Sequence, residues 1–340
     1  MGEQPLTRHG TLRDPVGWIV LVSLTVLAHV MAGLIGPVTV VSAALVLGVL
    51  TGNLTGFAQR ADAAGAFMLK RVLKIAVVLL GAGVSTDVLA QLDVAVVATI
   101  AVIIIVAVAT AMLVGRLVGL GFVTGLLIAV GTAICGASAI AAAAPIVKAS
   151  REEITYALST IFMFNAAALV ALPLIAVSVQ LDPVVFGMWA GMAVHDTAAA
   201  VATGFTYTAN SGEVATVVKL TRTVFLIPVI VIIALVAARR DAVPSGQHAL
   251  TTAGRSFPLF VLGFIATATA NTWGLFGDAG ALIADVGRLM IVGVVAAVGL
   301  TLHLRKLRGV GTSLLITGLT ASVTVAMASL ALIAFVNLTT

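Results

Sequence analysis

The sequence predicts an all-α polytopic membrane protein of roughly nine to eleven transmembrane segments, two of them discontinuous, with an inverted repeat. Three observations lead there. Of the 340 residues, 61% are hydrophobic and only 9% are charged, against about 25% charged in ordinary soluble domains. The apolar residues fall in long uniform runs, such as 94–114, and not in the period-two alternation of barrel strands. The sole cysteine, Cys135, excludes a disulfide scaffold. The low charge and high apolar content also exclude disorder and coiled coil. No tract is left for a separate soluble domain, so residues 1–340 read as one transmembrane transporter domain with 1–15 as a cytoplasmic tail.

In chain order, apolar segments run at roughly 16–35, 37–55, 71–86, 93–115, 117–149, 152–178, 184–205, 213–238, 256–276, 284–303 and 309–336. The first follows Arg8 and Arg13 as a signal peptide would. Its full span length and lack of a small-residue cleavage site favour an uncleaved helix. With the N-terminus inside, most of the 18 basic residues fall on the cytoplasmic side: Arg8, Arg13, Arg60, Lys70, Arg71, Lys74, Arg116, Arg239, Arg240, Arg255, Arg305, Lys306 and Arg308. The opposite loops carry Asp87, Asp93, Glu213, Asp278 and Asp285. The net charge of +5 is therefore mainly topology, with no nucleic-acid footprint.

One loop breaks the pattern. Eleven plain crossings would put Lys148 and Arg151 outside, and 116–150 is too long for a simple span. Re-entrant hairpins at 117–149 and 184–205 restore the charge rule with nine crossings; two broken helices that still cross are the alternative. Either way the N-terminus is inside and the C-terminus outside. Two echoes accompany this. RVLKIAVVLLGAGVSTDVL (71–89) parallels RLMIVGVVAAVGLTLHLRKL (288–307), and CGASAIAAAAP (135–145) parallels HDTAAAVATG (195–204). Inverted repeats with helices interrupted at mid-membrane mark transporters; chance likeness among Ala/Val/Gly-rich helices would look similar.

Three constellations could carry chemistry. GTAICGAS (131–138) sets Gly131, Thr132, Cys135, Gly136 and Ser138 in the middle of the over-long segment. Glycine permits an unwound backbone there, and a helix restarting at Ser138 would aim its positive end at an anion. Small-residue helix packing is the bland alternative. His195, Asp196 and Thr197 form a second group, expensive in an apolar segment unless paired or wetted. They suit a proton relay, a coupling-ion site or substrate contacts. In KLTRT (219–223), Lys219 and Arg222 share a helix face beside Thr221 and Thr223, which suits an oxyanion; snorkelling to the nearer surface is the alternative. Asn165, mid-segment, serves either a ligand or a neighbouring helix. Gly48, Gly52 and Gly56, and Gly187 with Gly191, read as close-packing glycines, with a homodimer face as their other use. Trp18 and Trp273 fall at segment ends, as interfacial anchors do. No P-loop, zinc spacing or HExxH is present, so neither a cofactor, a metal nor a catalytic residue is expected.

The blocks GTAICGASAIAAAAPIVKA, ALSTIFMFNAAALVALP, FGMWAGMAVHDTAAAVA and ATVVKLTRTVFLIPV resemble the YeiH family of bacterial membrane proteins, which carries the name of sulfate exporters. The resemblance runs from about Leu45 to the C-terminus. It implies a secondary transporter related to the bile-acid and arsenite transporter superfamily, set in the bacterial inner membrane. The positions it carries over are Thr132, Cys135, Gly136 and Ser138; His195, Asp196 and Thr197; and Lys219 and Arg222. One departure is visible: the HDT block runs into alanines where serines are expected, which bears on ligand preference and not on fold.

The function expected is secondary-active export of a small sulfur oxyanion, whether sulfate, sulfite or an organosulfonate. Thr132, Cys135, Gly136, Ser138, Asn165, His195, Thr197, Lys219, Arg222 and Thr223 would hold it. His195 and Asp196 are the coupling-ion candidates. The partners expected are that anion and membrane lipid. The competing classes are an anion channel and an intramembrane hydrolase using Ser138 or Cys135 with His195 as base.

Overall fold

A computed structural model describes residues 15–34, 39–55, 58–84, 94–241, 259–301 and 311–339. Among these the secondary structure is helical, without strands. Six helical stretches are long and apolar enough to cross a membrane: Pro15–Leu34, Val94–Leu117, Arg151–Ser178, Ala209–Val236, Ala279–Thr301 and Thr312–Val336. Large apolar side chains on them face outward, among them Ile19, Ile105, Leu174 and Phe335. In water such a surface would be a liability; against acyl chains it is the expected exterior. Gly56 and the loops carrying Arg8, Arg13, Asp87, Asp93, Arg255, His303, Arg305, Lys306 and Arg308 lie outside the described residues.

The chain divides into two compact units. The first holds α1 (Pro15–Leu34), α2 (Val40–Leu54), α3 (Ala58–Phe67), a π-helical turn (Met68–Val72) and α4 (Leu73–Gly81), with most of α13 (Phe260–Thr272) and α14 (Ala279–Thr301). Helix α3 escaped the sequence segmentation because AQRADAAGAF is too polar to register as a span. The centre of this unit is α14, against which α1, α2, α3 and α4 pack. Glycines allow the approach. A Cβ on Gly52 would lie 2.5 Å from the Leu300 carbonyl oxygen, and one on Gly299 2.6 Å from that of Leu45. Gly48 would meet the Ala296 carbonyl oxygen. Gly48 and Gly52 are thus used within the chain. Trp18 is also taken inward, its ring edge-on to Phe67 at 5.5 Å.

The members of the first echo are neighbours here. The side chain of Met68 faces Gly293, the backbone of Ala76 and Leu80 faces Gly287, and Gly83 faces Ala284. Rising numbers on one helix meet falling numbers on the other, so α4 and α14 run antiparallel.

The second unit holds α5 (Val94–Leu117), α6 (Phe122–Ala133), α7 (Ala137–Ala143), α8 (Arg151–Ser178), α9 (Pro183–Ala193), α10 (Thr197–Tyr207), α11 (Ala209–Val224), α12 (Leu226–Asp241) and α15 (Thr312–Thr339). Both long segments after the short helices start on a capping box. Ser150 Oγ accepts from Glu153 N while Glu153 Oε2 accepts from Ser150 N. Thr208 and Ser211 exchange the same pair of bonds. Asp182 caps α9 ahead of Pro183, which sits where a missing N–H costs nothing. Gly187 and Gly191 let α9 lie on α11: their Cβ positions fall 2.6 Å and 2.9 Å from the carbonyl oxygens of Ser211 and Ala215.

The segments expected at 117–149 and 184–205 are each two short helices. The first stops at Ala133 and restarts at Ala137; the second stops at Ala193 and restarts at Thr197. Neither half alone is long enough to span a bilayer, and Val40–Leu54, Leu73–Gly81 and Phe260–Thr272 are short as well, so among the described residues six long stretches are found where the sequence suggested more.

Gly52→Val should lower thermal stability in detergent by about 1–3 kcal/mol or more, because the obstacle is backbone and cannot rotate away. Gly33→Ala, with nothing within 4 Å of its Cβ position, should be neutral or slightly stabilising. Melting temperatures of the two variants check this.

Candidate functional site

The two helix interruptions meet. Gly136 has φ +63°, a backbone shape that favours glycine, and a Cβ on it would lie 3.3 Å from both Cα and Cβ of Asp196. Residues 134–136 therefore pass directly over 194–196. The sequence reading put a glycine here for unwinding; the structure adds that a side chain would block the crossing.

Ending a helix inside an apolar segment leaves carbonyls that must find donors. At the end of α6 the account closes. Val130 O accepts from Ile134 N at 3.1 Å, and Gly131 O accepts from Gly136 N at 3.0 Å. Arg222 takes the next two, donating from Nη2 to Thr132 O and from Nε to Ala133 O, the latter at 2.6 Å. Lys219 Nζ donates to Ile134 O at 2.9 Å. The same two side chains serve the end of α9. Arg222 Nη1 donates to Met192 O, and Lys219 Nζ donates to Val194 O at 2.7 Å and His195 O at 2.6 Å. Both cations are fully buried, each at 0% exposure. Carbonyls only accept, so three of them around Nζ require three protons, and Lys219 stands there as an ammonium. Two positive charges beside two helix C-termini also match the partial negative charge, about half a unit, that each end carries.

The restarting helices are treated differently. Asp196 caps α10, its Oδ2 accepting from Ala198 N at 2.9 Å and Ala199 N at 3.4 Å. Helix α7 has no side-chain cap. Asn165 of α8 holds the second interruption: its Oδ1 accepts from His195 N at 3.0 Å and Asp196 N at 3.1 Å. Two N–H donors fix the amide orientation, since Nδ2 could not serve them. Asn165 Nδ2, the Thr132 hydroxyl and His195 Nδ1 are buried and have no hydrogen-bond partner.

Of the residues singled out in sequence, Thr132, Cys135, Gly136, Asn165, His195, Asp196, Thr197, Lys219 and Arg222 come together around this crossing. Cys135 and Thr197 are buried beside it. Ser138, one residue into α7, is exposed. Thr223 is spent on its own helix, donating to Lys219 O at 2.8 Å. His195 does not pair with Ser138 or Cys135; its Nε2 shares a 2.7 Å hydrogen bond with Ser322 Oγ of α15. Ser322 was missed in the sequence, where it is one hydroxyl among many in TASVTVAMAS. Nor did sequence show that α9 is pinned to α15 by Trp189 Nε1 donating to Ala326 O at 2.8 Å.

The family described as Conserved hypothetical protein 698 matches residues 16–318. The chain is similar to a UPF0324 membrane protein of Bacteroides thetaiotaomicron, 34% identical over 193 residues, or 56% of this chain and 55% of that one. It is 32% identical to one from Porphyromonas gingivalis over 193 residues, 55% of each. A third, from Nitratidesulfovibrio vulgaris, is 34% identical over 171 residues, 48% of this chain and 47% of its own. The chain spans about half the length of the curated relatives it matches. No solved structure matches it.

Lys219→Met should strand three buried carbonyls, each at about 1–3 kcal/mol, and remove most of the folded protein. Thr221→Val, on the same helix and bonded only to its own turn, should cost about 1 kcal/mol or less. Yield of monodisperse protein and melting temperature separate the two.

Proposed function

The chain belongs to the Conserved hypothetical protein 698 family of membrane proteins, and we propose that it is a secondary-active transporter of the bacterial inner membrane. Its cargo is a small sulfur oxyanion: sulfate, sulfite or an organosulfonate. The observation that carries this reading is the crossing of two interrupted helices over a fully buried Lys219 and Arg222. A bilayer tolerates such charge and such free backbone where a polar substrate has to pass. The antiparallel echo of α4 and α14 supports an inverted repeat, and the matched sequence of long helices on capping boxes after each interruption supports a second.

In this proposal Lys219 and Arg222 act at two levels. Their hydrogen bonds hold both helix ends, and their charge makes the crossing attractive to an anion. Thr132 and Asn165 offer donors, while Cys135, Gly136 and Thr197 shape the wall. Ser138 marks the side from which the crossing is reached. His195 and Asp196 couple the cargo to a second ion, Asp196 being the carboxylate that, among the described residues, caps the restarting helix there. The N-terminus is cytoplasmic and the C-terminus lies across the membrane, as the distribution of Lys and Arg requires.

Purified protein in proteoliposomes should exchange labelled sulfate, sulfite or a sulfonate across the bilayer, saturably and above protein-free vesicles. Absence of exchange for all three removes the reading. Asp196→Asn keeps an N-cap of about equal quality, so the protein should fold and still exchange anion. It should lose accumulation driven by a proton gradient; undiminished accumulation would take Asp196 out of the coupling.

A further inference from the structure

Among the described residues, the formal charge at the crossing does not sum to zero. Lys219 and Arg222, both wholly buried, contribute two formal positive charges, and Asp196, whose Oδ2 accepts from two backbone N–H groups, one formal negative. The interrupted helices present two C-terminal and two N-terminal ends, so their partial charges cancel. His195 and Cys135 add none in their neutral forms. Glu213 sits six residues before Lys219 on α11, about 9 Å along the axis, in the first turns of that helix. One positive charge is left, and an unbalanced buried charge is costly.

Three buried side-chain atoms at the same crossing are also left over: Thr132 Oγ1, Asn165 Nδ2 and His195 Nδ1, which donates or accepts according to its tautomer. Thr132 Oγ1, at 0% exposure, belongs to the residue whose carbonyl binds Arg222. Asn165 Nδ2, at 5%, belongs to the residue that holds His195 N and Asp196 N. Buried polar atoms without partners are rare. Thr132 Oγ1 and Asn165 Nδ2 can donate whichever tautomer His195 takes, and both belong to residues bonded at this crossing.

We infer that the crossing takes one singly charged oxyanion, a sulfonate or an anion of that kind, whose oxygens accept from Thr132 Oγ and Asn165 Nδ2. A singly charged anion brings the local sum to zero; a doubly charged one overshoots by one negative charge and is disfavoured. This rests on the anion reading above and narrows it, choosing sulfonate over sulfate within the sulfur oxyanions.

Methanesulfonate and sulfate are near-isosteric tetrahedral anions that differ by one charge. Titrated against the purified full chain at a pH where sulfate is doubly charged, each should raise the melting temperature by linkage if it binds the folded state. Methanesulfonate should half-saturate at about tenfold lower concentration or less, which corresponds to about 1.4 kcal/mol. Equal or tighter binding of sulfate overturns the inference while leaving an anion transporter standing. Asn165→Asp keeps the acceptor for His195 N and Asp196 N, removes the donor and cancels the surplus charge; its response to methanesulfonate should vanish. Thr132→Val, isosteric and without a hydroxyl, should weaken methanesulfonate about tenfold. Unchanged affinity in both variants also overturns it. If neither anion shifts the melting temperature and neither is exchanged by proteoliposomes, the anion reading falls and this inference with it.

Discussion

Two helices stop inside apolar segments, and the carbonyls they leave have to be met by donors that come from somewhere other than water. Lys219 and Arg222 meet six of them, three each. Much else in the second unit follows. Both side chains rise from one face of α11, so α11 must lie against both interruptions. Gly187 and Gly191 bring α9 close enough, and Gly136 lets the two unwound stretches touch. The desolvation of two cations costs several kcal/mol each. Six charge-assisted hydrogen bonds offset part of that cost, and among the described residues neither cation has a carboxylate within salt-bridge distance. The arrangement leaves a positive crossing, where an Asp or Glu pairing would have left a neutral one.

The same economy explains the division of labour among the polar residues. Acceptors gather at the helix starts: Asn165 Oδ1 and Asp196 Oδ2 each take two backbone N–H groups. Donors gather at the helix ends. Among the described residues this leaves the Thr132 hydroxyl, Asn165 Nδ2 and His195 Nδ1 without hydrogen-bond partners at the crossing.

The fold was legible in the sequence because membrane spans are written in composition. The segments predicted at 16–35, 93–115 and 152–178 appear as Pro15–Leu34, Val94–Leu117 and Arg151–Ser178. The interruptions were also foreshadowed, since glycines and hydroxyls at 131–138 and a His–Asp pair at 195–196 have no ordinary place in an apolar helix. Helix α3 was not, because a polar helix packed on α14 carries no hydropathy signal. At the site, residue types pointed to the right positions but not to what they touch. Lys219 and Arg222 read as free countercharge because side chain-to-backbone contacts across 24 to 90 residues leave no trace in sequence. Thr223 flanks them in KLTRT and looked equivalent to them, yet its hydroxyl turns back to its own helix. Ser322 was invisible among its neighbouring hydroxyls.

The central claim is that Lys219 is an ammonium bound by backbone carbonyls of both interruptions. Solid-state NMR on protein in lipid, labelled with 15N at lysine Nζ and 13C at the carbonyls of valine and isoleucine, tests it directly, with Lys219→Arg assigning the signal. The account predicts an ammonium resonance for Lys219 dipolar-coupled to the carbonyl carbons of both Val194 and Ile134, each within about 4 Å given a C=O bond near 1.23 Å. A neutral amine resonance, or a signal coupled to water and to neither carbonyl, would contradict it.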